Sequence, residues 1–295
     1  MFHKILVPLD GSQEAERALD TALKLAQAAQ GELLLLRSIK VVHMMMPAMA
    51  TEYDWSWPEY SREQSRQEVR DYLEGVAERI EQMDIAVNTL AVEGDTASII
   101  VDTAEMKDVD LIAMSAQGWS TARVRELGSI TERVLHSASC PVLIIRAEPI
   151  DRMAIALDGS LLAERALTPG MALAEALQAQ VMLLRVSEPE TVAHGALLSA
   201  RERQIVLQAR EAAETYLHDT AHHLDDNVQT FVVGGTAVVD SILDFARLHA
   251  IDLLVMSTHG RTGLRRWLYG SVTARVMRAS HTSMLIIRPP DDELS

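Results

Sequence analysis

The chain has 295 residues, with 42 Asp+Glu against 27 Lys+Arg for a formal net charge of −15, and is 48% hydrophobic. That length predicts about two domains, and the apolar share supplies buried cores and excludes a disordered chain. The charge is −9 over residues 1–147 and −6 over the rest, so neither half offers the broad basic face that nucleic-acid binding needs. No apolar run approaches the ~18 residues of a membrane span. The opening residues reach Asp10 too soon for the apolar core of a signal peptide. A single cysteine, Cys140, excludes an internal disulfide framework and suits a reducing cytoplasm. Placed before Pro141 at the head of an apolar run, it reads as a buried structural thiol rather than a reactive one.

Taken in order, the first copy begins with an apolar run from Lys4 to Leu9 that ends in Asp10, Gly11 and Ser12, a strand followed by a turn. Ser12 is placed to cap a helix in which Ala15, Ala18, Leu19, Ala22, Leu23 and Ala26 fall at helical spacing, closed by Gly31. Leu33–Leu36 is a continuous apolar run, the mark of a strand covered on both faces. The spacing predicts a helix over 62–82, a strand over 85–92, a helix over 96–106, a strand over 111–114, a helix over 129–137 and a strand over 142–145. A second copy follows: a strand over 153–157, a helix from Ser160, a strand over 181–186 and a helix over 199–223. It continues with a strand over 230–233, a helix over 237–248, a strand over 253–256, a helix over 271–279 and a strand over 284–287. Pro169 and Gly170 should kink or split the first of these helices.

The duplication itself is explicit. DGSQEAERAL at 10–19 returns as DGSLLAERAL at 158–167, DLIAMS at 110–115 as DLLVMS at 252–257, and LIIR at 143–146 as LIIR at 285–288. A boundary near Ala147–Asp151 gives domains 1–148 and 149–295, joined by a segment short enough that the copies should pack together. Alternating strands and helices imply, in each copy, a doubly wound α/β domain with a parallel sheet and helices on both faces.

In such sheets ligands sit beyond the carboxyl ends of the strands. Two of these ends carry chemistry in each copy: Asp10 and Asp158 after the first strand, Ser115–Gly118 and Ser257–Gly260 after the fourth. From Leu253 to Pro290 there is no carboxylate, and residues 257–271 carry three glycines and three arginines before a helix. A basic, glycine-bearing turn at a helix N-terminus suits phosphate, and a facing carboxylate accepts from an amino or hydroxyl group, which together make a nucleotide pocket. The plainer alternative is that Asp10 and Asp158 only cap their helices.

The loops read Ser115-x2-Gly118-x9-Gly128-Ser129 and Ser257-x2-Gly260-x9-Gly270-Ser271. On these residues the chain resembles a tandem universal stress protein, whose nucleotide-binding members carry Gly-x2-Gly-x9-Gly-Ser/Thr. Both copies place serine at the first glycine. The resemblance covers essentially the whole chain in two passes and implies five-stranded sheets of order 3-2-1-4-5, packed as a pseudo-twofold pair through 142–145 and 284–287. It also implies an ATP, ADP or AMP ligand, with Mg2+ as a candidate companion. Adenine and ribose would meet Pro8, Asp10 and Ser38, or Ala156, Asp158 and Val186. The phosphates would lie on Gly118, Gly128, Ser129, Ile130 and Thr131, or on Gly260, Gly270, Ser271, Val272 and Thr273. Met114–Ser115 and Met256–Ser257 would line the turn between them.

The second loop is the better phosphate site. The first holds Glu126 and Glu132, lacks a counterpart of Gly263, and its Ser129–Glu132 stretch reads as a capping box that would occupy the helix amides. Ser38 also departs from the apolar residue usual under the base. His218, His222 and His223 share a predicted helix without a third clustered ligand, so no metal site is assigned. Met44–Met46 with Met49 reads as loop or core, and Tyr53–Tyr60 as a partner patch, a lid or a packing flap.

Catalytic signatures are missing: no Walker loop, dinucleotide fingerprint, nucleophile elbow or zinc-protease motif occurs. The reading is a cytoplasmic, ATP-binding stress-response protein whose nucleotide is a regulatory ligand, with no nucleic-acid or membrane partner and a homodimer as a candidate assembly. Its rivals are an interaction module without nucleotide and a slow ATP-hydrolysing enzyme.

Overall fold

Short apolar runs separated by amphipathic stretches fold as alternating strands and helices. The first copy forms β1 (Lys4–Pro8), α1 (Gln13–Ala29), β2 (Glu32–Ile39), α2 (Trp57–Glu81) and β3 (Ala86–Glu93), then α3 (Thr96–Met106), β4 (Leu111–Ser115), α4 (Ser129–Ser137) and β5 (Val142–Ile145). The second forms β6 (Arg152–Ala156), α5 (Leu161–Glu164), α6 (Leu167–Leu177), β7 (Gln180–Ser187) and α7 (Ala200–His222), then β8 (Gln229–Gly234), α8 (Val238–Leu248), β9 (Leu253–Ser257), α9 (Ser271–Ala279) and β10 (Ser283–Ile287). The structure is a computed structural model that describes residues 1–39, 57–117, 127–146, 148–187, 199–225, 227–235, 237–258 and 271–288, with backbone alone over 57–62.

Contacts divide the chain into two compact units, Phe2–Val124 with Gly128–Cys140, and Pro141–Ser295 with Met1 and Arg125–Leu127. In the first unit the strands run β3-β2-β1-β4, all parallel, with β1 between β2 and β4. The second runs β5-β10-β9-β6-β7-β8. Its own copy, β8-β7-β6-β9-β10, is parallel and has the expected order 3-2-1-4-5. β5 joins it antiparallel, with Val142, Leu143 and Ile144 opposite Ile286, Leu285 and Met284. This is the pairing of 142–145 with 284–287 that the resemblance implied.

The central strands are buried through their middle residues, as strands covered on both faces must be. Ile5, Leu6, Val7, Leu111 and Ile112 are fully enclosed, as are Met153, Ala154, Ile155, Leu253, Leu254 and Val255. α1 begins as expected, with the Ser12 hydroxyl accepting from the Ala15 amide at 3.1 Å.

Three local features depart from the simple pattern. α2 starts at Trp57, five residues before the expected 62, because Pro58 falls in its first turn, where a missing N–H costs nothing. So Trp57–Tyr60, read as part of a patch, lid or flap, are helical, while residues 53–56 and Met44–Met49 lie outside the described residues. The helix after Ser160 splits into α5 and α6, as Pro169 and Gly170 required. Proline lacks the N–H that would reach the Arg165 carbonyl, and the next helical bond is Gly170 N–H to Ala166 O at 3.0 Å. Gly170 also lets α6 press on the sheet, since a Cβ there would lie 2.8 Å from Ile155 Cδ1. α7 opens on a capping box of Ser199 and Glu202.

Cys140 is partly buried, and burial pushes its thiol up to about 11, which fits a structural role. Among the described residues, no helix is long and apolar enough to cross a membrane.

Candidate functional site

Parallel pairing of β1 with β4, and of β6 with β9, brings the two chemistry-bearing turns of each copy to the same edge. After β1 the Asp10 carboxylate accepts from the Ser12 amide at 2.9 Å and from the Ser12 hydroxyl at 2.5 Å. After β6, Asp158 accepts from the Ser160 amide at 2.9 Å. Each aspartate therefore shapes its own turn, and this same bond holds the carboxylate at the strand end. The N-caps of α1 and α5 are Ser12 and Ser160, so neither aspartate is the cap of its helix.

Across from these carboxylates, the helix after the fourth strand is tied to the strand end through a threonine. The Thr131 hydroxyl donates to the Ser115 carbonyl at 3.3 Å, and that of Thr273 to the Ser257 carbonyl at 2.7 Å. Those two hydroxyl protons are committed to backbone, so Thr131 and Thr273 are left with their main-chain amides as donors for a phosphate. In α4 the first helical bond runs from the Glu132 amide to the Gly128 carbonyl at 2.9 Å, which puts the amides of Ser129, Ile130 and Thr131 ahead of the ladder. Ser271, Val272 and Thr273 hold the same three positions in α9. An N-terminus of this kind attracts anions.

The capping box expected at Ser129–Glu132 does not form. Gly128 is the N-cap, and no cap side chain bonds the helix. The Gly128 amide donates to the Ala116 carbonyl at 2.9 Å, which fixes Gly128 in extended conformation and moves Ser129 into the helix as its first residue. A side chain at Gly128 would approach the Ala116 oxygen to 3.4 Å.

The described positions of the two copies then diverge. Ser38, at the end of β2, shares a 2.7 Å hydrogen bond with Thr96 at the start of α3. The equivalent positions, Val186 at the end of β7 and Val238 at the start of α8, are both apolar. The Ser115 hydroxyl receives the Gln117 amide at 3.3 Å. The Ser257 hydroxyl is buried and has no hydrogen-bond partner among the described residues. Asp95 caps α3 through the Ser98 amide at 3.0 Å and takes both arms of the Arg133 guanidinium at 2.8 and 2.6 Å. That guanidinium, with the Ser98 bonds, holds the Asp95 carboxyl well below the usual carboxylate range. In the second copy the counterparts are Ala237, an N-cap without a side-chain bond, and Arg275. Pro8, Ala156, Met114 and Met256 occupy the strand ends as expected, whereas Gly118, Gly260 and Gly270 lie outside the described residues.

Sequence reasoning missed one cluster. The Arg37 guanidinium stacks on the Tyr72 ring, 4.6 Å from its centroid, and a Cβ on Gly11 would lie 2.9 Å from a guanidinium nitrogen. The Tyr72 hydroxyl donates to Glu16 at 2.8 Å. The second copy repeats all of it: Arg185 lies 4.8 Å over Tyr216, 2.9 Å from a Cβ built on Gly159, and the Tyr216 hydroxyl donates to Glu164 at 2.8 Å. Burial, then the glutamate bond, raises both phenols above their ordinary range. The eight-of-ten match already held Glu16 and Glu164, and Arg37 and Arg185 share its offset of 148. Tyr72 and Tyr216 are 144 apart, so a fixed offset does not pair them.

The model of the universal stress protein family matches residues 1–146 and again 149–288. Universal stress protein YxiE of Bacillus subtilis is 32% identical over 154 residues, covering 50% of this chain and 100% of that protein. Universal stress protein MJ0531 of Methanocaldococcus jannaschii is 31% identical over 146 residues, 50% of this chain and 83% of that protein. Among solved structures, a universal stress protein from Archaeoglobus fulgidus shares the fold at a TM-score of 0.71 and 20% identity, over 98% of this chain and 99% of that one. With two successive matches that span nearly its whole length, the chain belongs to the universal stress protein family.

Proposed function

We propose that this protein binds ATP or a related adenine nucleotide, chiefly in its second copy, and that the nucleotide is a regulatory ligand in a cytoplasmic stress response. One observation carries the reading. At the adjoining ends of β6 and β9, a turn-held carboxylate, Asp158, shares an edge with a helix N-terminus tethered through Thr273. Asp158 would accept from the ribose or base, and the amides of Ser271, Val272 and Thr273 would meet the phosphates with Gly260 and Gly270. Val186 and Val238 give the base an apolar seat, and the buried Ser257 hydroxyl supplies one further donor. A Mg2+ ion would accompany the phosphates.

In the first copy, Pro8, Asp10, Ser38, Met114, Ser115, Gly118, Gly128, Ser129, Ile130 and Thr131 form the corresponding set. There the Ser38–Thr96 bond favours weaker occupancy, in the direction of the family members that bind no nucleotide. A ligand held only by the folded form stabilises it by about 2.7 kcal/mol at a hundred times its Kd, which is how ATP level would set the protein's state. Acid-quenched, freshly purified protein should release adenine nucleotide, and incubation with ATP should yield no phosphate above buffer. Protein that carries none and takes up none on titration defeats the nucleotide reading, while steady phosphate release makes it an enzyme instead.

A further inference from the structure

The clusters of Arg37 and Arg185 stand beside the two aspartate turns, and the nucleotide reading gives them no part. Their construction points at the turn. Gly11 and Gly159 have φ of +90° and +83°, the left-handed region that favours glycine, so the backbone there reverses sharply just after the carboxylate. The guanidinium lies against that glycine on one side and on the tyrosine ring on the other. A planar, delocalised cation can stack in this way where an ammonium cannot. The tyrosine, on α2 or α7, is anchored in turn to the glutamate of α1 or α5. A strand, a helix and the turn itself, distant in sequence, are thus linked at one glycine, and the residue before it is the aspartate whose carboxylate closes the turn onto Ser12 or Ser160.

We propose that Arg37 and Arg185 are positioning residues, which clamp the Asp-Gly-Ser turn so that Asp10 and Asp158 are held ready for a hydroxyl or amino group of the ligand. The inference rests on the nucleotide reading for the ligand, but the clamp itself exists without one. Two copies separated by 148 residues keep the stack to within 0.2 Å, at 4.6 and 4.8 Å, while the neighbouring Ser38 and Val186 have diverged.

The test uses the full chain with Arg185→Lys, which keeps the charge and gives up the stack, and with Arg37→Lys as the matching change in the first copy. In Arg185→Lys, amide exchange at Ser160 should quicken about tenfold while Leu217 in α7 is unchanged. ATP affinity of the second copy should fall about tenfold, and adding Arg185→Lys to Asp158→Asn should cause no further loss. Arg37→Lys should quicken Ser12 in the same way. Unchanged Ser160 exchange, an equal rise at Leu217, or additive losses in the double variant would overturn the positioning role. A wild-type chain that takes up no ATP sinks the nucleotide reading, and Ser160 exchange alone then decides the clamp.

Discussion

The two copies agree where they shape the aspartate turn and differ where a ligand would lie. Asp10 and Asp158 hold their turn amides at 2.9 Å, and Tyr72 and Tyr216 reach their glutamates at 2.8 Å in each case. Yet in the first copy three polar groups near that turn are bonded within the chain. Ser38 bonds Thr96, Ser115 receives the Gln117 amide, and Asp95 binds both Ser98 and Arg133. The second copy puts valines at the first pair, leaves Ser257 without a partner among the described residues, and has Ala237 in place of the capping aspartate. Duplication has kept the frame twice, while the polar groups around it are bonded within the first copy and replaced or unbonded among the described residues of the second.

The frame should fail alike in both copies. Gly159→Val and Gly11→Val each force a branched side chain into left-handed backbone and against a guanidinium, and should each cost about 3 kcal/mol in urea unfolding. Tolerance in one copy alone would show that the frames are not equivalent.

The serines should separate the copies by sign. Ser257→Ala removes a buried hydroxyl with no partner among the described residues and should raise ligand-free stability by about 1 kcal/mol while weakening ATP binding several-fold. Ser115→Ala loses a bonded one and should lower stability by about 0.5 kcal/mol. A destabilised Ser257→Ala would mean that its hydroxyl already has a partner.

Swapping the base seat should narrow the difference. Val186→Ser with Val238→Thr should reduce ATP affinity about fivefold, the loss of about 1 kcal/mol of apolar contact. Ser38→Val with Thr96→Val should strengthen uptake by the first copy, and calorimetric titration of both pairs checks the two directions.

The smallest effect concerns acid. Arg133 and Ser98 depress the Asp95 carboxyl in the folded state, so its contribution is present above the unfolded value of about 4 and fades as pH falls through the lower folded value. The pair is solvent-exposed and screened by salt. The melting difference between wild type and Asp95→Ala should therefore shrink from pH 5 to pH 2, whereas Ala237→Ser in the second copy should show no such trend.

Much of this was legible beforehand. Apolar runs of strand length carried the alternation of elements, Pro169 and Gly170 the split of α5 from α6, and the two repeats the pairing that sets Asp158 and Ser257 at one sheet edge. What the sequence hid depends on assembly. A Ser-x-x-Glu pattern cannot say which residue begins a helix, and the Gly128 amide, taken by Ala116, gave that place to glycine rather than to Ser129. The arginine clamp draws on β2, α1, α2 and a turn, and no local pattern spans them.

The second copy should be the principal nucleotide site. Calorimetric titration of wild type, Asp10→Ala and Asp158→Ala with ATP tests it most directly. The account predicts one tight site per chain, weakened roughly 10- to 100-fold by Asp158→Ala, as for a lost hydrogen bond to a charged group, and little changed by Asp10→Ala. Loss of the tight site in Asp10→Ala with Asp158→Ala unaffected would contradict it.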